Sequence, residues 1–219
     1  TVPGLAARGA APGGVLVSHM LGDADEGFVA GLREVLETYA TPLLGGDTVR
    51  ADGRRVWGCT AIGRATHTPV PDRRSARAGD AIFVTGTLGR AMLGMVDRGS
   101  GSADDLAYRR PRPLLAEGRA LAPHVGAMMD ISDGLLLDSW RMAKASDVRF
   151  HLDRGAIPVA DPERADECMR WGDDYPLLFT ASPDADLPVP ATRIGTVAEG
   201  PARLALAGAI LPPEDALGY

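Results

Sequence analysis

Three short stretches set aspartates among small residues, the pattern expected where phosphate oxygens and a divalent cation are held together. In Gly45-Gly46-Asp47-Thr48, two glycines let the backbone approach a phosphate closely, and Asp47 can hold Mg²⁺ on it. A tight turn uses the same residues, so both readings stay open. In Asp130-Ile131-Ser132-Asp133-Gly134 a hydroxyl stands between two carboxylates where Met128-Met129, read as a strand, leads into an apolar helix. Ser132 or Asp133 can cap that helix, and a helix N-terminus favours anions. Capping accounts for one aspartate; two at a strand-to-helix switch can share one metal or hold a pair. In Gly172-Asp173-Asp174-Tyr175, adjacent carboxylates repel unless a cation, a helix end or a donor ligand compensates, or solvent screens them.

Other chemistries lack their residues. His19, His67, His124 and His151 show no ligand spacing and read as structural, and no GxSxG or Cys/His pairing supports a covalent nucleophile. Lys144 is the sole lysine and no GxxxxGK[ST] exists, which rules out a P-loop kinase. Arg73 and Arg74 can reach phosphate oxygens.

The elements that must position these groups follow from hydrophobic spacing. Val15–His19 reads as a buried strand and Asp23–Tyr39 as a helix with Phe28, Leu32, Val35 and Leu36 on one face. A short strand at Thr41–Leu44 ends in the first cluster, and Val56–Gly63 reads as another. Residues 66–78, rich in arginine and loop formers, read as a linker. Beyond it come a strand at Ala81–Thr85, helices at Leu88–Val96, Pro113–Leu121 and Gly134–Ala145, a Gly/Ser-rich loop at Asp97–Ser102, and strands at Val148–Leu152, Leu177–Thr180 and Thr192–Val197. This order predicts a mixed α+β or α/β fold.

The chain has 219 residues, 45% of them hydrophobic, enough for one large domain or two small ones. Its 23 basic against 29 acidic residues give a net charge of −6, the wrong sign for nucleic-acid binding. No apolar run reaches the ~18 residues of a membrane span. Cys59 and Cys168 make neither a disulfide framework nor a zinc site, so the expected compartment is the cytoplasm.

Taken in order, Leu44–Thr48, Arg77–Gly89, Arg110–Pro113, Asp130–Leu135, Gly172–Thr180 and Arg193–Val197 resemble the thiamine-monophosphate kinase family of the aminoimidazole-ribonucleotide-synthetase-like superfamily. The six collinear segments cover almost the whole chain. The resemblance implies a two-unit, PurM-like architecture: an N-terminal α+β unit over 1–65, the linker 66–78 and a C-terminal α/β unit over 79–219. The reaction it implies is transfer of the ATP γ-phosphoryl group to thiamine monophosphate, with Mg²⁺, giving thiamine diphosphate. Such in-line transfer needs positioning and charge neutralisation rather than a protein nucleophile. By the same resemblance Asp47, Asp130 and Asp133 are metal ligands. Gly46, Asp47, Ser132 and Arg73 (with Arg74 next) contact nucleotide, and Asp173 and Tyr219 contact the thiamine substrate.

The departures are specific. Gly4, in Val2-Pro3-Gly4-Leu5-Ala6-Ala7-Arg8-Gly9-Ala10, stands where the family has a metal-binding Asp, Asp173 replaces a Glu, and Pro176 replaces an acidic residue. The family's upstream Gly-Asp-Asp segment and dimer-forming strands are expected to be missing, leaving the N-terminal unit incomplete. With those strands present the family is homodimeric. Gly4 also admits a second reading, a non-catalytic homologue that binds nucleotide or thiamine phosphate. A sibling ATP-dependent enzyme with another acceptor is the third.

Overall fold

The computed structural model describes residues 2–212, 217 and 218. The chain opens with helix α1 (Val2–Ala6), strand β1 (Ala10–Met20), helix α2 (Asp25–Thr38), and strands β2 (Leu43–Val49) and β3 (Trp57–Ala65). β1 is central, parallel to β2 and antiparallel to β3. The parallel pairing requires a crossover, which α2 provides. α2 starts two residues later than the sequence suggests. The Asp25 carboxylate accepts the Gly22 N–H at 3.0 Å and closes the preceding turn there.

The first aspartate cluster is neither a turn nor a free loop. Gly45 to Thr48 lie within β2, with Gly46 opposite Val17 and Asp47 opposite Ser18. Gly46 has φ +155°, and a Cβ there would strike the Val17 carbonyl oxygen. Close strand approach therefore accounts for this glycine. β2 is an edge strand, and all its residues are exposed.

The second part contains β4 (Ala81–Val84), α3 (Arg90–Val96), α4 (Ala103–Arg109), α5 (Leu115–Leu121), β5 (Met128–Asp130), α6 (Leu135–Ser146), β6 (Arg149–Leu152), α7 (Ala165–Arg170), β7 (Leu177–Ala181), β8 (Thr192–Ala198), β9 (Arg203–Leu206) and β10 (Ala209–Ile210). The strands form one sheet in the order β10-β9-β6-β8-β4-β7-β5, with β6 and β9 parallel and the other neighbours antiparallel. α4, α7, β9 and β10 are absent from the sequence-derived elements. α4 owes its start to Ser102, whose hydroxyl accepts the Asp105 N–H at 3.1 Å.

β4 and β7 are buried throughout because both sheet faces are covered. Alternate residues serve opposite cores. Ile82, Val84 and Leu178 join Leu135, Leu136 and Met142 of α6. Ala81, Phe83, Leu177 and Phe179 join Ala6 of α1 and Leu115 and Leu121 of α5. The N-terminal helix is thus a lid on the far face of the large sheet. Residues 66–78 are pinned to α6: the Ser146 hydroxyl donates to the Arg73 carbonyl at 2.9 Å and accepts the Ala76 N–H at 3.2 Å.

Candidate active site

Two of the three aspartate clusters meet at the end of β5. Asp130, its last residue, pairs with Leu177 at the start of β7. Beyond that pair the two loops zip together. The Ile131 N–H donates to the Pro176 carbonyl at 2.9 Å, the Tyr175 N–H to the Ile131 carbonyl at 3.0 Å, and the Asp173 N–H to the Ser132 carbonyl at 3.0 Å. The zipper needs Asp173 at φ +64° and Tyr175 at φ +56°, a region costly for side-chain-bearing residues. The Tyr175 hydroxyl donates to the Asp173 carboxylate at 3.0 Å.

The neighbouring carboxylates separate. Asp174 turns inward and accepts the Gly89 and Ala91 N–H groups at 2.6 and 2.8 Å, so the start of α3 compensates it. Burial nevertheless pushes its carboxyl above the usual range. The start of α3 thus supplies donors to Asp174, while the neighbouring Asp173 charge adds to the rise.

A cavity of about 250 Å³ opens beside the joined loops, lined by Gly4, Ala7, Arg8, Arg73, Met129, Asp130, Ser132, Asp133, Asp138 and Arg141. Asp138, fully buried in the first turn of α6, accepts the Ser132 N–H at 2.9 Å and the Asp133 N–H at 3.0 Å. Burial raises its pKa against those bonds. Arg141, one turn further along α6, donates to Asp133 and to Asp138, the latter at 3.1 Å. Partial desolvation pulls the Arg141 pKa down, but the two carboxylates outweigh it and hold the group above its usual value. The cavity is therefore lined by alternating charge, with the Asp138 carboxylate as its buried anchor.

Of the residues singled out in the sequence, this cavity gathers Arg73, Asp130, Ser132 and Asp133. Arg74 points elsewhere and clasps Asp72 at 2.9 and 2.7 Å. Gly46 and Asp47 do not line the cavity, because β2 is carried at the exposed edge of the three-stranded sheet. Tyr219 lies outside the described residues. Sequence reasoning missed Arg8, Asp138 and Arg141. Asp138 had a signal: a lone aspartate within Leu135–Trp140 must find donors if that helix is buried. The two arginines are ordinary in sequence and become site residues only by folding.

A second, larger cleft of about 640 Å³ adjoins the first across α1. Val2 and Pro3 line this cleft, with Val35, Tyr39, Pro111, Pro113 and Tyr175, whereas Gly4 lines the cavity. Its polar groups include Arg110 and Glu34, paired at 2.5 Å. Apolar and ring-bearing walls with a few polar groups suit a small organic ligand.

A divalent cation held by protein ligands does not fit the small cavity as it stands. Among the described residues no group of three or more His, Cys, Asp or Glu could hold one. Asp133 and Asp138 already pair with Arg141, and Asp47 is not brought to them. Position 4 could carry another carboxylate, since a Cβ there would meet nothing within 4 Å.

Comparison with known proteins bears on this architecture. The C-terminal domain of AIR synthase related protein matches residues 77–203, and the N-terminal domain of the same family matches residues 1–65. A thiamine-monophosphate kinase of Methanospirillum hungatei is 35% identical over 231 aligned residues, spanning 100% of this chain and 78% of that protein. One from Caulobacter vibrioides is 34% identical over 73% of this chain and 50% of its own length. The chain spans about half the length of two such relatives. The crystal structure of thiamine-monophosphate kinase from Stenotrophomonas maltophilia K279a superposes with a TM-score of 0.85 at 30% identity, covering 96% of this chain and 76% of that one. With both family domains matched in order and the fold shared along nearly its whole length, the chain belongs to the AIR synthase related protein family and, within it, to the thiamine-monophosphate kinases.

Proposed function

We propose that the protein transfers the γ-phosphoryl group of ATP to thiamine monophosphate. The single observation that carries this reading is the adjacency of two concavities of opposite chemistry across the first turn of α1. The charged cavity offers guanidinium and hydroxyl groups for phosphates, with Arg73 and Ser132 on its wall. The apolar cleft, walled by Tyr39 and Tyr175, suits the rings of a thiamine phosphate. Phosphoryl transfer between two phosphates then asks chiefly for alignment, which two adjoining pockets favour.

In this reading Asp130 faces the transferring phosphates, and Mg²⁺ enters as the counter-ion of the nucleotide. Asp173 orients Tyr175 toward the acceptor. Gly46, Asp47 and Tyr219 belong to the reading through the family resemblance alone. Residues 1–65 and 79–219 act as two units about the 66–78 connection, in the cytoplasm. Self-association uses the three-stranded sheet, where Leu16, Leu44 and Ile62 are exposed. An apolar sheet face of this kind favours a second copy over solvent.

The test is formation of thiamine diphosphate from ATP, Mg²⁺ and thiamine monophosphate. Product establishes the transfer. Binding of both ligands without product would favour the second reading, a non-catalytic binding homologue, which fits the lack of a three-carboxylate group among the described residues.

A further inference from the structure

The acidic end of the small cavity carries its own cation. Asp133 and the buried Asp138 both pair with Arg141, while Arg8 and Arg73 line the same cavity. Asp130 is left as the one lining carboxylate that is not ion-paired among the described residues. The three arginines match the three aspartates in formal charge. A divalent cation is usually needed where carboxylates and phosphate oxygens converge, because neither will approach the other bare. Here a guanidinium already bridges two of the lining carboxylates, and guanidinium donors suit phosphate oxygens in geometry and charge.

We infer that Arg141, together with Arg8 and Arg73 and in place of a divalent cation, offsets the carboxylates of this cavity, so that a nucleoside diphosphate binds there without a protein-held metal. The inference rests on the reading of the cavity as the nucleotide phosphate site. Arg141 holds Asp133 and Asp138 in check, and the phosphates meet Arg141, Arg73 and Ser132.

The test is calorimetric titration of ADP into the whole chain, once in excess EDTA and once with Mg²⁺, for the wild type, Arg141→Gln and Arg141→Lys. The wild-type dissociation constants in the two buffers should differ by less than about threefold, well below one decade of affinity. In Arg141→Gln, Asp133 and Asp138 lose their counter-charge, so Mg²⁺ should tighten ADP binding by about tenfold or more, and EDTA should abolish most of it. Arg141→Lys keeps the charge but loses the planar fork, so its Mg²⁺ dependence should fall between those of the wild type and Arg141→Gln.

A wild type that binds ADP about tenfold or more tightly with Mg²⁺ than in EDTA overturns the inference and leaves the nucleotide reading standing. Absence of ADP binding in both buffers overturns the nucleotide reading itself. If Arg141→Gln does not fold, the two wild-type titrations still decide the question.

Discussion

The Asp138 carboxylate, fully buried at the start of α6, accepts the backbone N–H of Asp133 at 3.0 Å. It also takes the Ser132 N–H, so one carboxylate shapes the turn that presents both residues to the cavity. Asp138→Ala would orphan those donors and remove one of the carboxylate partners of Arg141. The expected loss is about 1–3 kcal/mol of stability, measured by urea unfolding. Wild-type stability in the variant would show that the turn does not depend on this carboxylate.

Asp130 sits at the junction of β5 with the zipped loops and faces the cavity without an ion pair among the described residues. Asp130→Asn is nearly isosteric, so the melting temperature should hold while thiamine diphosphate formation falls by about 100-fold or more, as for loss of a transition-state charge contact. Undiminished turnover removes Asp130 from the phosphate-facing role.

α1 reaches the large sheet only because Gly118 of α5 lacks a side chain; a Cβ there would collide with the Ala6 carbonyl oxygen. Gly118→Ala should push α1, and with it Gly4 and Ala7 of the cavity wall, off the sheet. We expect about 1–3 kcal/mol of destabilisation from overpacking, read as a lowered melting temperature. A neutral result would mean that α1 adjusts without strain.

Acid stability should depend on Asp105. Its carboxylate is paired to Arg109 at 2.7 Å by each oxygen and accepts the Gly99 and Gly101 N–H groups at 3.0 and 2.9 Å. The Arg109 hydrogen bonds, then the backbone donors, hold its pKa well below the ordinary 3.8. For a carboxylate depressed by folding, the unfolded state binds more protons in that window. The stabilisation is thus present above pH 3.8 and lost as pH falls toward the folded-state value. Asp105→Asn should be less stable near neutrality and show a flatter acid limb in unfolding measured from pH 7 downward. An unchanged acid limb would locate the acid sensitivity elsewhere.

The exposed face of the three-stranded sheet makes a last prediction. Leu44 is 53% exposed on the edge strand β2. Leu44→Glu should leave folding intact and shift any dimer to monomer in light scattering after gel filtration, because a charge at an apolar contact resists desolvation. A dimer that survives would place the contact on another surface.

What the sequence by itself determined is what depends on local order. The aspartates with their flanking glycines, the apolar runs of β4, β7 and α6, and the mixed order of strands and helices can all be read from neighbours in the chain. The family resemblance can be read for the same reason, since it lies in short collinear segments. Tertiary structure decided what depends on partners far apart in sequence. Only folding shows Gly46 as a close-approach residue against Val17 rather than a turn, because strand pairing sets its neighbours. Only folding sends Asp174 to the start of α3 and leaves Asp173 to Tyr175. Arg8, Arg73 and Arg141 become one cavity wall through the docking of α1, the 66–78 segment and α6. Side-chain charge is written in the sequence, but which charges meet is set by packing, and in this cavity that choice places a guanidinium between two carboxylates.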